Sequence, residues 1–289
     1  MKVSVITASF NQGRYIERTL LSVLSQDWKC TEYVVFDGGS TDETLHILRK
    51  YAANVRWYSE PDTGQANAIN KGIQATTGEI VAWLNSDDVY YPGAVRAVME
   101  YFIAHPEVDV IYGMADHIDQ NDKPFEDYPT EPWDFERLKF TCFLCQPAVF
   151  LRRKMFATYG LLDESLKYCM DYEYWLRLGA AGVSFRYLPR KLAGSRLYQE
   201  NKTMRARVKV HAEINDMFLR QFNRVPDRWL YNYAHAVVER RWDRNQSPKR
   251  FHVDLCLQCM FAAIYWNKKI SPEMAQTTST WILPNVFGR

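Results

Sequence analysis

The chain of 289 residues carries almost no net charge, since 36 Lys and Arg stand against 34 Asp and Glu. A balance of +2 sets up no global field to gather nucleic acid or an anionic surface over the whole molecule. No apolar run reaches the roughly 20 residues that span a bilayer. The opening Lys2-Val3-Ser4-Val5-Ile6-Thr7 is too short and polar for a secretory h-region, so a cytoplasmic location is expected. Cysteine is scarce, with six in all. Two Cys-x-x-Cys pairs, Cys142/Cys145 and Cys256/Cys259, lie far apart and enclose Phe143-Leu144 and Leu257-Gln258. Such spacers lack the Gly and polar residues of a zinc knuckle, which makes buried free thiols the expectation. There is no internal repeat and no low-complexity segment. Neither Gly-x-Gly-x-x-Gly after the first strand nor Gly-x-x-x-x-Gly-Lys-Ser/Thr anywhere is present, which disfavours a dinucleotide-binding dehydrogenase and a P-loop enzyme.

What is abundant is aromatic: 18 Tyr, 15 Phe and 9 Trp. They suit stacking on bases or sugars and equally an aromatic core. The first hundred residues alternate between short apolar runs and helical stripes. Strands are predicted over 3–8, 33–36, 55–58 and 80–84, each followed by a polar loop and a helix. Ser40 with Glu43 reads as a capping box for the second helix, and Pro92 sits in the first turn of the fourth. Four strand-helix units in a row predict a largely parallel sheet with right-handed crossovers. Their loops, 7–11, Asp37, 60–65 and 85–88, then collect at one edge, where open α/β sheets bind ligands. In the last of these loops Asn85, Ser86 and Asp87 offer hard oxygen donors that suit Mg²⁺ or Mn²⁺ holding a phosphate. The same residues would also serve as a plain turn capped by Ser86 or Asp88.

Beyond residue 105 the alternation loosens. A strand is expected over 108–112, then a polar, Pro-containing loop to Trp133 of the kind that carries binding residues, and a strand over 146–151. Asp171 opens a helix whose buried face is marked by Tyr174, Trp175 and Leu178, a position open to a plain amino-terminal cap or a chemical role. From Met204 onward the pattern is helical. The segment 251–266, apolar with aromatic ends and followed by Lys268-Lys269, is open between a core helix, a homodimer helix and one lying at a membrane surface.

Val3-Ser4-Val5-Ile6-Thr7-Ala8-Ser9-Phe10-Asn11, then Asp37-Gly38-Gly39-Ser40-Thr41-Asp42, then Asn85-Ser86-Asp87-Asp88 resemble the successive motifs of the family 2 glycosyltransferases. Those are inverting enzymes of the GT-A fold that use nucleotide-activated sugars, and the resemblance runs from residue 1 to about 205. It implies an α/β GT-A domain over 1–205, Rossmann-like, with a mainly parallel mixed sheet flanked by helices, and a helical extension over 206–289. Within the first domain, 1–112 would be the nucleotide-sugar half and 113–205 the acceptor half. By resemblance Thr7, Ala8, Ser9 and Asn11 receive the base together with Asp37, whose carboxylate accepts from N3 of a uracil. Asp62 and Gln65 lie by base or ribose, and Asn70 and Lys71 line the pocket near the diphosphate. Asn85, Ser86 and Asp87 stand in place of Asp-x-Asp, making Asp87 the expected ligand of Mn²⁺ or Mg²⁺. The neutral Asn85 departs from that pattern.

Asp171 matches the catalytic base of the family's Glu-Asp motif, although Met170 replaces the Glu and Glu173 is a reserve candidate. Residues 196–203 resemble the loop over the diphosphate. Tyr198 stands there where many members carry His, so Arg196 and Lys202 are the phosphate partners, unless the segment is a basic linker. The implied activity is metal-dependent transfer from a UDP-sugar, or a dTDP-sugar, to a glycan or lipid-linked glycan in cell-surface polysaccharide synthesis, with no nucleic-acid partner. The rivals are a nucleotidyltransferase and a noncatalytic sugar-nucleotide or glycan-binding module.

Overall fold

The computed structural model describes residues 1–28, 31–198 and 206–287, with side chains as far as Trp281. Its chain divides into two compact units, Met1–Tyr198 and Gln199–Arg289.

The first unit begins with the expected alternation: β1 (Val3–Ser9), α1 (Ile16–Leu24), β2 (Thr31–Asp37), α2 (Thr44–Lys50), β3 (Arg56–Ser59), α3 (Gln65–Ala75) and β4 (Ile80–Trp83). These strands lie in the order β3-β2-β1-β4 and every pair is parallel. Both faces of β1 and β4 are covered, so Val3, Val5, Ile6, Ile80 and Ala82 are wholly buried, as continuous apolar runs in a parallel sheet should be. Helix α3 comes so close to β1 that a Cβ on Gly72 would stand 2.3 Å from Ile6 Cγ2.

The sheet then continues as β4-β8-β6-β9-β5. Here β5 is Val89–Tyr90, β6 Val110–Ile118, β8 Val149–Arg152 and β9 Phe185–Arg196, while β7 (Pro124–Asp127) hangs on β6 as a hairpin. The β4–β8, β8–β6 and β9–β5 pairs are antiparallel and β6–β9 is parallel. The sheet is thus mixed and mainly parallel, as expected: its first half is wholly parallel, and in the second half the long β6–β9 pair is parallel beside short antiparallel pairs. Residues 113–118 continue β6 where a polar loop was expected, because they pair with β9 on one side and β7 on the other, which buries Ala115, Asp116 and Ile118. Helices α4 (Ala94–Ala104), α5 (Phe135–Leu138), α6 (Lys154–Tyr159) and α7 (Met170–Ala180) complete the unit. The expected capping box is also corrected: the Ser40 hydroxyl donates to Asp37, and it is Asp42 Oδ1 that accepts the Thr44 N–H at the start of α2, at 3.0 Å.

The second unit contains four described helices, Arg207–Phe222, Asp227–Val238, Pro248–Asn267 and Pro272–Phe287. Ile214, Phe218, Leu230, Leu255, Cys259 and Met274 form its core. Asn267 pins the turn at Val225 by accepting its N–H and donating to its carbonyl, both at 2.8 Å. Cys142, Cys145, Cys169, Cys256 and Cys259 are all free thiols. None of the described helices is long and apolar enough to cross a membrane.

The tight α3–β1 contact yields a test. Gly72→Ala gains helix propensity of about 1 kcal/mol, but overpacking against the immobile Ile6 costs about 1–3 kcal/mol. The variant is expected to unfold at lower urea concentration than the wild type. An unchanged or higher midpoint would mean that α3 can draw back from the sheet.

Candidate active site

Register builds the first half of the site. Ser9 pairs with Asp37 across β1–β2, and Asp37 with Ser59 across β2–β3, so three polar side chains stand together at the carboxyl ends of neighbouring parallel strands. Asp37 is 2 % exposed. Its Oδ2 accepts from the Gly39 and Ser40 N–H groups at 3.1 and 2.9 Å and from Ser59 Oγ at 2.7 Å, while Oδ1 accepts from Ser40 Oγ. A carboxylate so held is rigid before any ligand arrives.

The first two loops are stitched to one another. Asn11, at φ 52°, donates its N–H to Ser40 Oγ at 2.7 Å and accepts from the Thr41 N–H at 2.9 Å. Thr7 Oγ1 bonds the Tyr33 hydroxyl at 3.0 Å beneath them. Ser9 Oγ is buried with no hydrogen-bond partner among the described residues. Asp62 folds in from the third loop, where its Oδ1 takes the Gly64 N–H at 2.8 Å. Its other oxygen lies against Gly38, 2.8 Å from where a Cβ would stand, so only glycine leaves room for that carboxylate beside the Asp37 loop.

The second half of the site is the turn after β4. Asp88 is 3 % exposed: its Oδ1 accepts the Arg196 N–H at 2.8 Å and its Oδ2 the Asn85 amide at 3.1 Å. Asn85 Oδ1 accepts from Gln65 Nε2 at 2.6 Å, so the start of α3, the turn and the end of β9 form one polar chain. Burial, and then the neighbouring Asp87 charge, pushes the Asp88 carboxyl well above the usual carboxylate range. Asp87 is half-buried beside it. Burial raises its carboxyl too, against the lowering effect of the Tyr198 hydroxyl, which donates to its Oδ2 at 3.0 Å.

Arg196 lies under this turn. Its side chain is fully enclosed. Nε donates to the Asp87 carbonyl at 2.7 Å and the other nitrogens to the Asp119 carbonyl and Asp122 Oδ1. The guanidinium also stacks over Tyr15 at 4.7 Å. The expectation that Arg196 meets a diphosphate is corrected accordingly, since the group is spent on holding the backbone of the acidic turn. Asn70 is likewise engaged, donating to the Leu162 carbonyl and Glu164 and accepting the Leu162 N–H. Lys71 is paired with Glu60 at 2.6 Å. Lys202 lies outside the described residues.

Asp171 sits half-buried in the first turn of α7, where its Oδ1 accepts the Tyr172 N–H at 2.8 Å. Burial first, and then the charges of Asp88, Cys142 and Asp171, push up the Cys145 thiol near the acidic turn and the head of α7. The Trp83 and Trp175 rings, stacked at 5.3 Å, join β4 to α7 beneath them. Glu173 is held by both Arg177 Nε at 3.0 Å and Nη2 at 2.7 Å, so its proton-accepting capacity is already used.

Sequence reasoning offered Asp88 as a local turn cap but missed its bond to Arg196, and it missed the contact of Tyr198 with Asp87. Neither contact had a local signal, because the partners stand more than a hundred positions apart. Lys167 was missed as well; its Nζ caps the Thr63 carbonyl at 2.6 Å and brings a cation to the third loop.

Among the described residues no group of three His, Cys, Asp or Glu is placed to hold a metal alone. A single half-buried carboxylate whose ionisation is penalised does fit a hard divalent ion that arrives on a diphosphate and keeps some of its water.

The family model described as Glycosyl transferase family 2 matches residues 4–160. An uncharacterized glycosyltransferase of Rickettsia typhi is 31% identical over 188 residues, covering 61% of this chain and 58% of that protein. The match thus spans little more than half of the relative's length. Among solved structures, S. aureus TarS 1–349 in complex with UDP-GlcNAc aligns with a TM-score of 0.62 at 18% identity, over 99% of this chain and 89% of that one. The mannosyltransferase PcManGT from Pyrobaculum calidifontis, in complex with GDP-Man and Mn²⁺, aligns with a TM-score of 0.61 at 16% identity, over 99% and 84%. The fold is therefore GT-A.

The raised Asp87 carboxyl makes a stability prediction. A group that protonates more readily in the folded state contributes most below its unfolded pKa and loses that contribution as pH rises through the raised value. Without divalent ions, Asp87→Asn should exceed the wild type by about 1 kcal/mol near pH 8 in urea unfolding. The gap should close toward about pH 4. A wild type that is the more stable of the two at the alkaline end would refute the assignment.

Proposed function

The chain belongs to glycosyltransferase family 2, and on that premise we propose that it moves a sugar from a nucleotide-sugar, a UDP-sugar foremost, to a hydroxyl of a glycan or lipid-linked glycan in cell-surface polysaccharide synthesis. The observation that carries the reading is the pairing of unlike carboxylates around one edge. Asp87 is half-buried and accepts from the Tyr198 phenol, and Asp171 heads α7, the helix whose Trp175 stacks on Trp83 at the end of β4.

In this reading the strand-end cluster of Ser9, Asp37 and Ser59 forms the floor of the base pocket. Ser9 Oγ, buried without a partner among the described residues, is a hydrogen-bonding group that a base or ribose would satisfy. Asp62 borders the same pocket, and Gln65 with Asn85 offers neutral hydrogen bonds along the ribose side. Asp87 would hold Mn²⁺ or Mg²⁺. When bound with the donor, that ion supplies positive charge against the diphosphate as it leaves.

Asp171 takes the proton. As the acceptor oxygen forms its bond to the anomeric carbon, the bond from that carbon to the diphosphate breaks on the opposite face. The electron pair leaves with the phosphate oxygen, the hydroxyl proton passes to the Asp171 carboxylate, and the anomeric centre inverts. Met170 beside it contributes no second charge, and Glu173 is committed to Arg177.

Transfer assays with UDP-sugars and Mn²⁺ test the proposal, and UDP binding without any turnover would point to a noncatalytic module. Asp171→Asn should keep UDP affinity within about twofold while turnover falls ~10²–10⁴-fold, the usual worth of a general base. Asp87→Ala should abolish the Mn²⁺-dependent part of UDP affinity in calorimetry. If UDP binding by that variant still responds to Mn²⁺, the ion is held elsewhere.

A further inference from the structure

The near neutrality of the whole chain hides an asymmetry. Residues 199–289 contain 15 Lys and Arg against 8 Asp and Glu, whereas residues 1–198 contain 21 against 26. Within the basic part, the helix Pro248–Asn267 is apolar on two faces. Phe251, Leu255, Cys259, Ala262 and Trp266 are buried in the core of the second unit. Val253, Leu257, Phe261, Ile264 and Tyr265 are exposed, four of them by more than half. Their spacing of three and four places them on one continuous stripe. An exposed apolar stripe of this kind marks an interaction surface.

Cations stand at both ends of the stripe, Lys249 and Arg250 before it and Lys268 and Lys269 after it, all exposed. The one acid in the helix, Asp254, is already bound by Arg241 and by Trp242 Nε1, each at 3.2 Å. This pattern decides against a second copy as the occupant. Paired antiparallel, the Lys249–Arg250 end of one copy would face the Lys268–Lys269 end of the other. Paired parallel, like ends would meet. Either way cation faces cation, which disfavours association. Five side chains of one helix also fall short of the ~800 Å² per partner of a stable protein interface.

We propose that this face docks on an anionic lipid bilayer. The helix lies in the plane of the surface, with Leu257, Phe261 and Ile264 at the acyl boundary and the flanking lysines and Arg250 against phosphate headgroups. The proposal is independent of the sugar-transfer reading.

Flotation of the full chain with vesicles tests it. The wild type should float with phosphatidylcholine vesicles containing phosphatidylglycerol, release with added salt, and stay behind with phosphatidylcholine alone. Leu257→Glu with Phe261→Glu should lower partitioning about tenfold or more. Arg250→Glu with Lys268→Glu and Lys269→Glu should remove the preference for anionic lipid, with helicity and thermal midpoint kept in both variants. The wild-type lipid and salt series stands by itself should either variant fail to fold. Absence of wild-type binding, equal binding to neutral vesicles, or folded variants that bind like the wild type would each overturn the proposal. So would a dimer in sedimentation that Leu257→Glu with Phe261→Glu dissolves, since the face would then belong to a second copy.

Discussion

One arginine closes the acidic turn from below. The Arg196 backbone N–H binds Asp88 and its guanidinium binds the carbonyl of Asp87, so a residue at the far end of β9 fixes both members of a dipeptide that follows β4. The guanidinium pays for its burial through hydrogen bonds to Asp119 and Asp122 and through the Tyr15 ring, as an enclosed cation must be compensated on every side. Without that clamp two adjacent carboxylates at a strand end would repel and splay. With it, one is locked inward and the other stays half-buried.

That division explains how neighbouring residues of the same type come to differ. Asp88 is engaged by donors on both carboxylate oxygens, while the side-chain donor to Asp87 among the described residues is the Tyr198 hydroxyl. Burial disfavours the charge on both, so the pair carries an electrostatic cost that a bound cation would offset. Such costs concentrate where proteins do chemistry. The strand-end cluster around Asp37 is built the opposite way, with its carboxylate stabilised by neutral donors and the loops held stiff by backbone hydrogen bonds. Under the proposed function, a rigid base pocket beside an electrostatically unfavourable metal position is a sensible pairing: the first needs shape and the second needs a reason to take up an ion.

The second unit follows a different logic. Its core is an ordinary set of packed helices, yet the helix 248–267 shows apolar residues to both core and solvent. A helix that is apolar all round is normally enclosed. Its charges sit at the ends rather than along the exposed face, and that arrangement separates a flat anionic surface from a self-complementary protein contact.

Local pattern alone placed the first half of the fold and the polar loops at its edge. In a parallel sheet each buried strand must be an apolar run and each crossover a helix, so period and punctuation carry the topology. It also placed Asp171 at a helix head. Pairing between distant segments was beyond it. The antiparallel insertion of β8 beside β4, the extension of β6 past residue 112, the enclosure of Arg196 and the choice between Asp87 and Asp88 all depend on residues from about 70 to more than 100 positions away. Which carboxylate is enclosed and which stays half-buried is decided by partners in space, because a side chain's chemistry is set by its neighbours' donors and by the water it has lost.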